Sequence, residues 1–232
     1  MDLANRFMRN KDLIPQDKLD ELTIVGLGGI GSAVAINSAI MGWDRITGYD
    51  GDNLETHNLS STLYPLEYIG FSKAHVATAM ISEYGGKSSL IQANWNIGDP
   101  IGDKVLLCVD DMEIRLDIYK EWLKSDTREI LIDMRMDALS MEIISCTKEN
   151  DFFGEYWVSG ASIADAPCTM KHTIFTSSIV AGWGLNNLFC MLTGKPWYGY
   201  IWHGLVPFQM KTEHLVTNGY LKNVTIESRV NV

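Results

Sequence analysis

Short apolar runs alternate with longer mixed segments through the first half of the chain. A mixed-charge opening, residues 1–22, carries Phe7, Met8, Leu13, Ile14 and Leu19 in a pattern that suits a helical arm with a docking turn at Pro15. Residues 23–25 then read as a strand, 32–41 as a helix with small residues facing a sheet, and 45–49 as a second strand. Residues 50–71 form a long polar loop. Beyond it the periodicity predicts a helix over 72–84, strands over 89–93 and 104–109, a helix over 113–124 and a strand over 130–133. This alternation predicts an α/β fold, a mostly parallel sheet with helices on both faces, in which ligands bind at the strands' carboxyl ends. Asp50, Asp110 and Asp133 fall at three such ends.

After residue 133 the pattern changes. Residues 141–145 read as an antiparallel strand, 147–169 as an irregular crossover, and 174–193 as a largely apolar helix closed by Gly194, Lys195 and Pro196. That helix belongs in the core or at a subunit contact. The tail, 195–232, spaces its Trp and Tyr residues as added antiparallel strands whose aromatics fill a core rather than stack on bases.

Composition narrows the function classes. With 232 residues, 46% of them hydrophobic, the chain can bury a full core and is expected to make one domain. A formal net charge of -10 argues against a nucleic-acid groove, which needs many cations against phosphates, but permits one nucleotide in a local pocket. No run approaches the roughly 18 apolar residues of a membrane span, and the opening lacks an apolar signal region. A soluble, cytoplasmic protein with no membrane partner is therefore expected. Cys108, Cys146, Cys168 and Cys190 contain no Cys-x-x-Cys pair, so neither a disulfide framework nor a structural zinc is expected.

The chemistry concentrates at IVGLGGIGS, residues 24–32. Gly26 permits a tight turn, Gly28 and its neighbour Gly29 let phosphate approach the backbone, and Gly31 lets helix and strand pack closely. Free N–H groups at the helix start attract phosphate oxygens. Asp50, about twenty residues on, is placed to accept ribose hydroxyl protons.

GLGGIGS, the DGDNLETHNL segment from Asp50, GFSKAHVA from Gly70 and LLCVDDMEIR up to Arg115 together resemble the ThiF/MoeB/HesA family, relatives of ubiquitin-activating enzymes. The resemblance covers roughly residues 5–195. It implies a Rossmann-like domain that adenylates a C-terminal carboxylate with ATP and Mg²⁺. By position, Asp50 resembles the family's ribose ligand, Asn58 a side chain near the phosphates, Lys73 the triphosphate lysine and Asp110 the magnesium aspartate. Asp52 matches the second acid of a D-x-D pair, and Asp111 stands where the family often has Asn. RFMR at 6–9 is similar to an arm whose second arginine, here Arg9, reaches the nucleotide of a neighbouring subunit, which implies a homodimer. DMRM at 133–136 and APCTMKHTI at 166–174 resemble stand-alone bacterial and phage members. Pro167-Cys168-Thr169 resembles a segment carrying a thioester cysteine, and His172 could act as its base.

One departure stands out. Where the family places a phosphate-clamping arginine after Asn-Leu, this chain has Ser61, and Arg9, Arg115 and Arg135 are the candidate substitutes. The implied partner is a small carrier protein or a peptide with a free C-terminus. A nucleotide-binding scaffold without catalysis, a dehydrogenase and an adenylase that forms an amide or ring are the competing readings.

Overall fold

Strands β1 (Glu21–Val25), β2 (Arg45–Tyr49), β3 (Ser88–Ile91), β4 (Lys104–Leu107) and β5 (Ile130–Met136) run parallel in a computed structural model that describes residues 5–10, 12–159, 173–222 and 224–229. Antiparallel strands β6 (Ser140–Thr147), β7 (Trp197–Gly204), β8 (Gln209–Thr217), β9 (Tyr220–Lys222) and β10 (Ile226–Arg229) extend the sheet. The order is β10, β8, β7, β6, β5, β4, β1, β2, β3, with β9 paired to β8. The order in which successive strands are added reverses between β1 and β4, the switch point at which such folds bind ligands.

Alternating side chains feed two apolar layers. Leu22 and Ile24 of β1, Leu106 of β4 and Ile130, Ile132 and Met134 of β5 join helices α1 (Gly29–Met41), α2 (Lys73–Glu83) and the long helix Ile174–Thr193. Val25, Val105, Leu107 and Leu131 point the other way, onto helix α3 (Met112–Trp122), the short helix α4 (Phe153–Tyr156) and the tail aromatics Trp197 and Tyr200. The tail aromatics are core, as their spacing suggested. The long helix, α5, is capped by Thr173 and ends at Gly194, which takes the left-handed φ of 68°.

α5 is, among the described residues, the helix long and apolar enough to cross a membrane, a property the run-by-run reading did not credit. It is also built into the sheet. A Cβ on Gly184 would lie 2.2 Å from the Met134 sulfur, and buried Asn187 bonds Ser145 Oγ, Tyr198 O and Tyr198 N–H across β6 and β7.

The expected helical arm is a correction. Residues 5–10 form turns, followed by a 3₁₀ turn at Gln16–Lys18, because the arm's polar groups serve the end of α1. Arg6 Nη2 donates to Ala39 O at 2.6 Å, beside the Gly42 N–H already on that carbonyl, and Gln16 Nε2 donates at 3.2 Å to Met41 O, a carbonyl that the helix end leaves open. The polar loop 50–71 likewise contains 3₁₀ turns, Thr56–Ser60 and Leu66–Tyr68.

The glycine turn is packed most tightly at Gly31. A Cβ on Gly31 would sit 1.9 Å from Gly26 O, so strand and helix approach only because that carbon is missing. Gly31→Ala is expected to destabilise the fold by about 3 kcal/mol through overpacking, read as a lower denaturation midpoint. An unchanged midpoint would mean that the turn relaxes freely.

Candidate functional site

A cleft of about 1050 Å³ opens at the switch point, lined by Val25 at the end of β1, Gly26 after it, and Cys108, Val109 and Asp110 after β4. Gly26 holds φ 88° and its N–H bonds Tyr49 O at 2.9 Å, turning the chain sharply into α1. α1 has no side-chain cap at Gly28, so the N–H groups of its first turn are left for a ligand. A Cβ on Gly28 would meet nothing within 4 Å, whereas one on Gly29 would strike Met136. Gly28 is therefore the open point of the cradle, and an anion fits there.

Asp50 braces this turn. Its Oδ2 accepts from Leu27 N at 2.7 Å and its Oδ1 from Asp52 N at 2.9 Å, which leaves each oxygen a further lone pair for a ligand hydroxyl. Burial pushes the carboxyl above its usual range, against the opposing pull of Lys73 and the two N–H donors.

Lys73 opens α2 and lines the cleft, 8% exposed, with Nζ 2.8 Å from Asp52 Oδ2. The Lys73 N–H also bonds Asp52 O at 2.9 Å, so this one loop acid fixes the lysine at two points. Sequence reading found no such role for Asp52. Asn58 lines the cleft but its Oδ1 accepts from Glu55 N, closing a reciprocal cap on the 3₁₀ turn. Ser61 also lines the cleft, nearly buried, its carbonyl held by Ser177 Oγ.

Asp110 is exposed on the cleft and forms no hydrogen bond or ion pair with the described residues. A carboxylate left open beside a phosphate cradle suits a hard cation, so Mg²⁺ fits this donor. Asp111 is structural, accepting from Glu113 N and Ile114 N to cap α3. Asp133 corrects the expectation of a third cleft acid: β5 runs on to Met136, so Asp133 sits mid-strand with no exposure, paired with both Arg115 and Arg135. That pairing also occupies two of the three candidate substitutes for the missing clamp. Arg135 further bonds Glu142 and Tyr156 O. Arg9 is exposed and is not among the residues lining its own chain's cleft.

Sequence reasoning missed Asn94 and Trp95, which line the far side of the cleft from the segment after β3. Trp95 is 2% exposed, with its indole N–H on Asp99 O at 3.3 Å. The expected strand over 89–93 hid them as strand-end residues. Cys108 leaves β4 into the cleft, but burial pushes its thiol up to about 12, and burial raises Cys146 and Cys190 too. Cys168 and His172 lie outside the described residues. His57 lines the cleft beside Glu55, and no cluster of metal-binding side chains occurs among the described residues.

A model of the ThiF family matches residues 6–131. Ubiquitin-like modifier-activating enzyme 5 of Dictyostelium discoideum is 29% identical over 133 residues, which are 46% of this chain and only 35% of that protein's length. E. coli MccB, in a crystal structure with AMPCPP and MccA, superposes with a TM-score of 0.71 at 17% identity, over 95% of this chain and 74% of that one. PaaA superposes with a TM-score of 0.72 at 18% identity, over 90% of this chain and 72% of that one. The structural likeness establishes a Rossmann-like α/β fold, mostly parallel at its centre.

Proposed function

The chain belongs to the ThiF family, and from that membership and the cleft we propose that it adenylates the C-terminal carboxylate of a polypeptide, using ATP. One observation carries the reading: Lys73, the unpartnered Asp110 and the open backbone at Gly28 line one cleft. The carboxylate oxygen attacks the α-phosphorus, the bond from that phosphorus to its bridging oxygen breaks, and pyrophosphate leaves with the electron pair. The turn's N–H groups hold phosphate oxygens, Lys73 offsets charge building on the leaving group, and Asp50 orients the ribose. Asp110 would hold Mg²⁺, which supplies Lewis-acid charge stabilisation. Positioning and electrostatics make up most of such a reaction.

AMPCPP and MccA in the MccB crystal structure support ATP and a polypeptide as the substrate classes. The match to ubiquitin-like modifier-activating enzyme 5 supports a small carrier protein as the polypeptide. A homodimer belongs to the same reading, because Arg9, exposed and away from its own cleft, acts on a nucleotide only across a subunit boundary. Transfer of the acyl group to Cys168, or to an external thiol or amine, would follow adenylation, with AMP as the leaving group.

A second reading, a nucleotide-binding scaffold, is favoured by Ser61 in the clamp position and by Asp133 holding both Arg115 and Arg135. Exchange of labelled pyrophosphate into ATP separates the two. Adenylation gives exchange that needs a free C-terminal carboxylate and vanishes when that terminus is amidated. ATP binding without exchange, across carrier proteins and peptides with free C-termini, would replace the enzyme by the scaffold.

A further inference from the structure

Asp110 lies on the segment that leaves β4 for α3. β4 ends at Leu107, and the last sheet-like bond is Cys108 N to Val25 O at 2.8 Å. Past it, the Val109 carbonyl is held by a side chain, Arg115 Nη2, which also donates to Met134 O at 3.1 Å. Arg115 Nη1 engages Asp133 Oδ1, and the other Asp133 oxygen takes Arg135 Nε at 2.9 Å. On the far side of Asp110, the Asp111 cap fixes the chain into α3. Asp110 is thus mounted between two anchors, with its own carboxylate left open.

We propose that Arg115 and Asp133 are positioning residues for Asp110, setting the cleft's affinity for the metal rather than touching the nucleotide. The inference rests on the adenylation reading, in which Asp110 holds Mg²⁺. Both terminal nitrogens of Arg115 are spent on Val109 O, Met134 O and Asp133, so its fork is not free to grip phosphate. Arg115, 3% exposed, lines the cleft, and its charge attracts Asp110. Asp133, with no exposed surface, is the expensive part. A carboxylate buried in a strand of sequence ILIDMRM is no better for stability than an apolar side chain, and its two arginine partners orient it. Removing it would leave Arg115 free to swing from Val109.

The test follows the rise in melting temperature as Mg²⁺ is titrated into protein saturated with ATP, beside ATP binding measured in EDTA. In Arg115→Met and Asp133→Asn the Mg²⁺ concentration for half the effect is expected to rise about tenfold or more, the scale on which residues behind a metal ligand act. ATP binding in EDTA should stay as in the wild type. Arg115→Lys, which keeps the charge but loses the planar fork and guards against a variant that fails to fold, should recover only part of the metal affinity. A folded Arg115→Lys or Asp133→Asn with the wild-type Mg²⁺ midpoint would overturn the inference alone. Equal weakening of ATP binding with and without metal would also overturn it, because that is what loss of packing does. A wild-type protein without any Mg²⁺-dependent response would remove the adenylation reading beneath it.

Discussion

Asp110→Ala is expected to lower the rate of pyrophosphate exchange by about a thousandfold or more, because a lost Lewis acid forfeits several kcal/mol of charge stabilisation. The same substitution should scarcely alter stability. Asp110 is exposed and bonds no described residue, so its removal breaks nothing in the fold. Its neighbour supplies the contrast: Asp111 accepts two N–H groups at the start of α3, and Asp111→Ala is expected to cost about 1 kcal/mol of stability through the lost cap. Asp111→Ala should retain metal-dependent exchange. Parallel denaturation and exchange measurements check the pair, and a wild-type exchange rate in Asp110→Ala would remove Asp110 from the chemistry.

Lys73→Ala should separate activity from stability. A lysine in the first turn of a helix opposes the macrodipole, so α2 carries a cation where helix energetics favour an anion. Its partner Asp52 is 70% exposed on its side chain, and loss of the lysine would leave that acid to water rather than buried and unpaired. Stability is therefore expected to change little, the relieved helix start being offset by the loss of Lys73's attraction for the buried Asp50 carboxyl. Exchange should fall by about a hundred- to a thousandfold, the loss typical of one preorganised donor at developing charge. Stability loss of several kcal/mol with exchange intact would instead make Lys73 a structural residue.

The central architecture was readable because its determinants are local. The apolar runs that became β1, β2, β4 and β5, the glycine turn and the helix closed by Gly194 all depend on neighbours within a few positions. Boundaries shifted where tertiary partners lengthen an element: β5 continues past Asp133 because Met134, Arg135 and Met136 pair with Ile143, Glu142 and Met141 of β6. That extension moved Asp133 from the cleft rim into the interior. The arm misled for a related reason. Its helix-like spacing is overridden by carbonyls at the end of α1, which draw Arg6 and Gln16 into turns.

In the site, Gly26, Gly28 and Asp50, singled out by spacing, and Lys73 and Asp110, singled out by the resemblance, line one cleft, and their roles there are those proposed above. The ion pair of Lys73 with Asp52 and the arginine pair on Asp133 were not, since each joins residues brought together by strand order and helix packing. Trp95 carried only its hydrophobicity as a signal. Its place in the cleft depends on where β3 stops, at Ile91.

Calorimetric titration of the folded protein with Mg·ATP asks the central question directly. A saturable heat that is lost in Lys73→Ala and weakened by chelating the metal is expected. No heat from the well-folded protein in its native assembly would contradict a cleft built to hold a triphosphate and its cation.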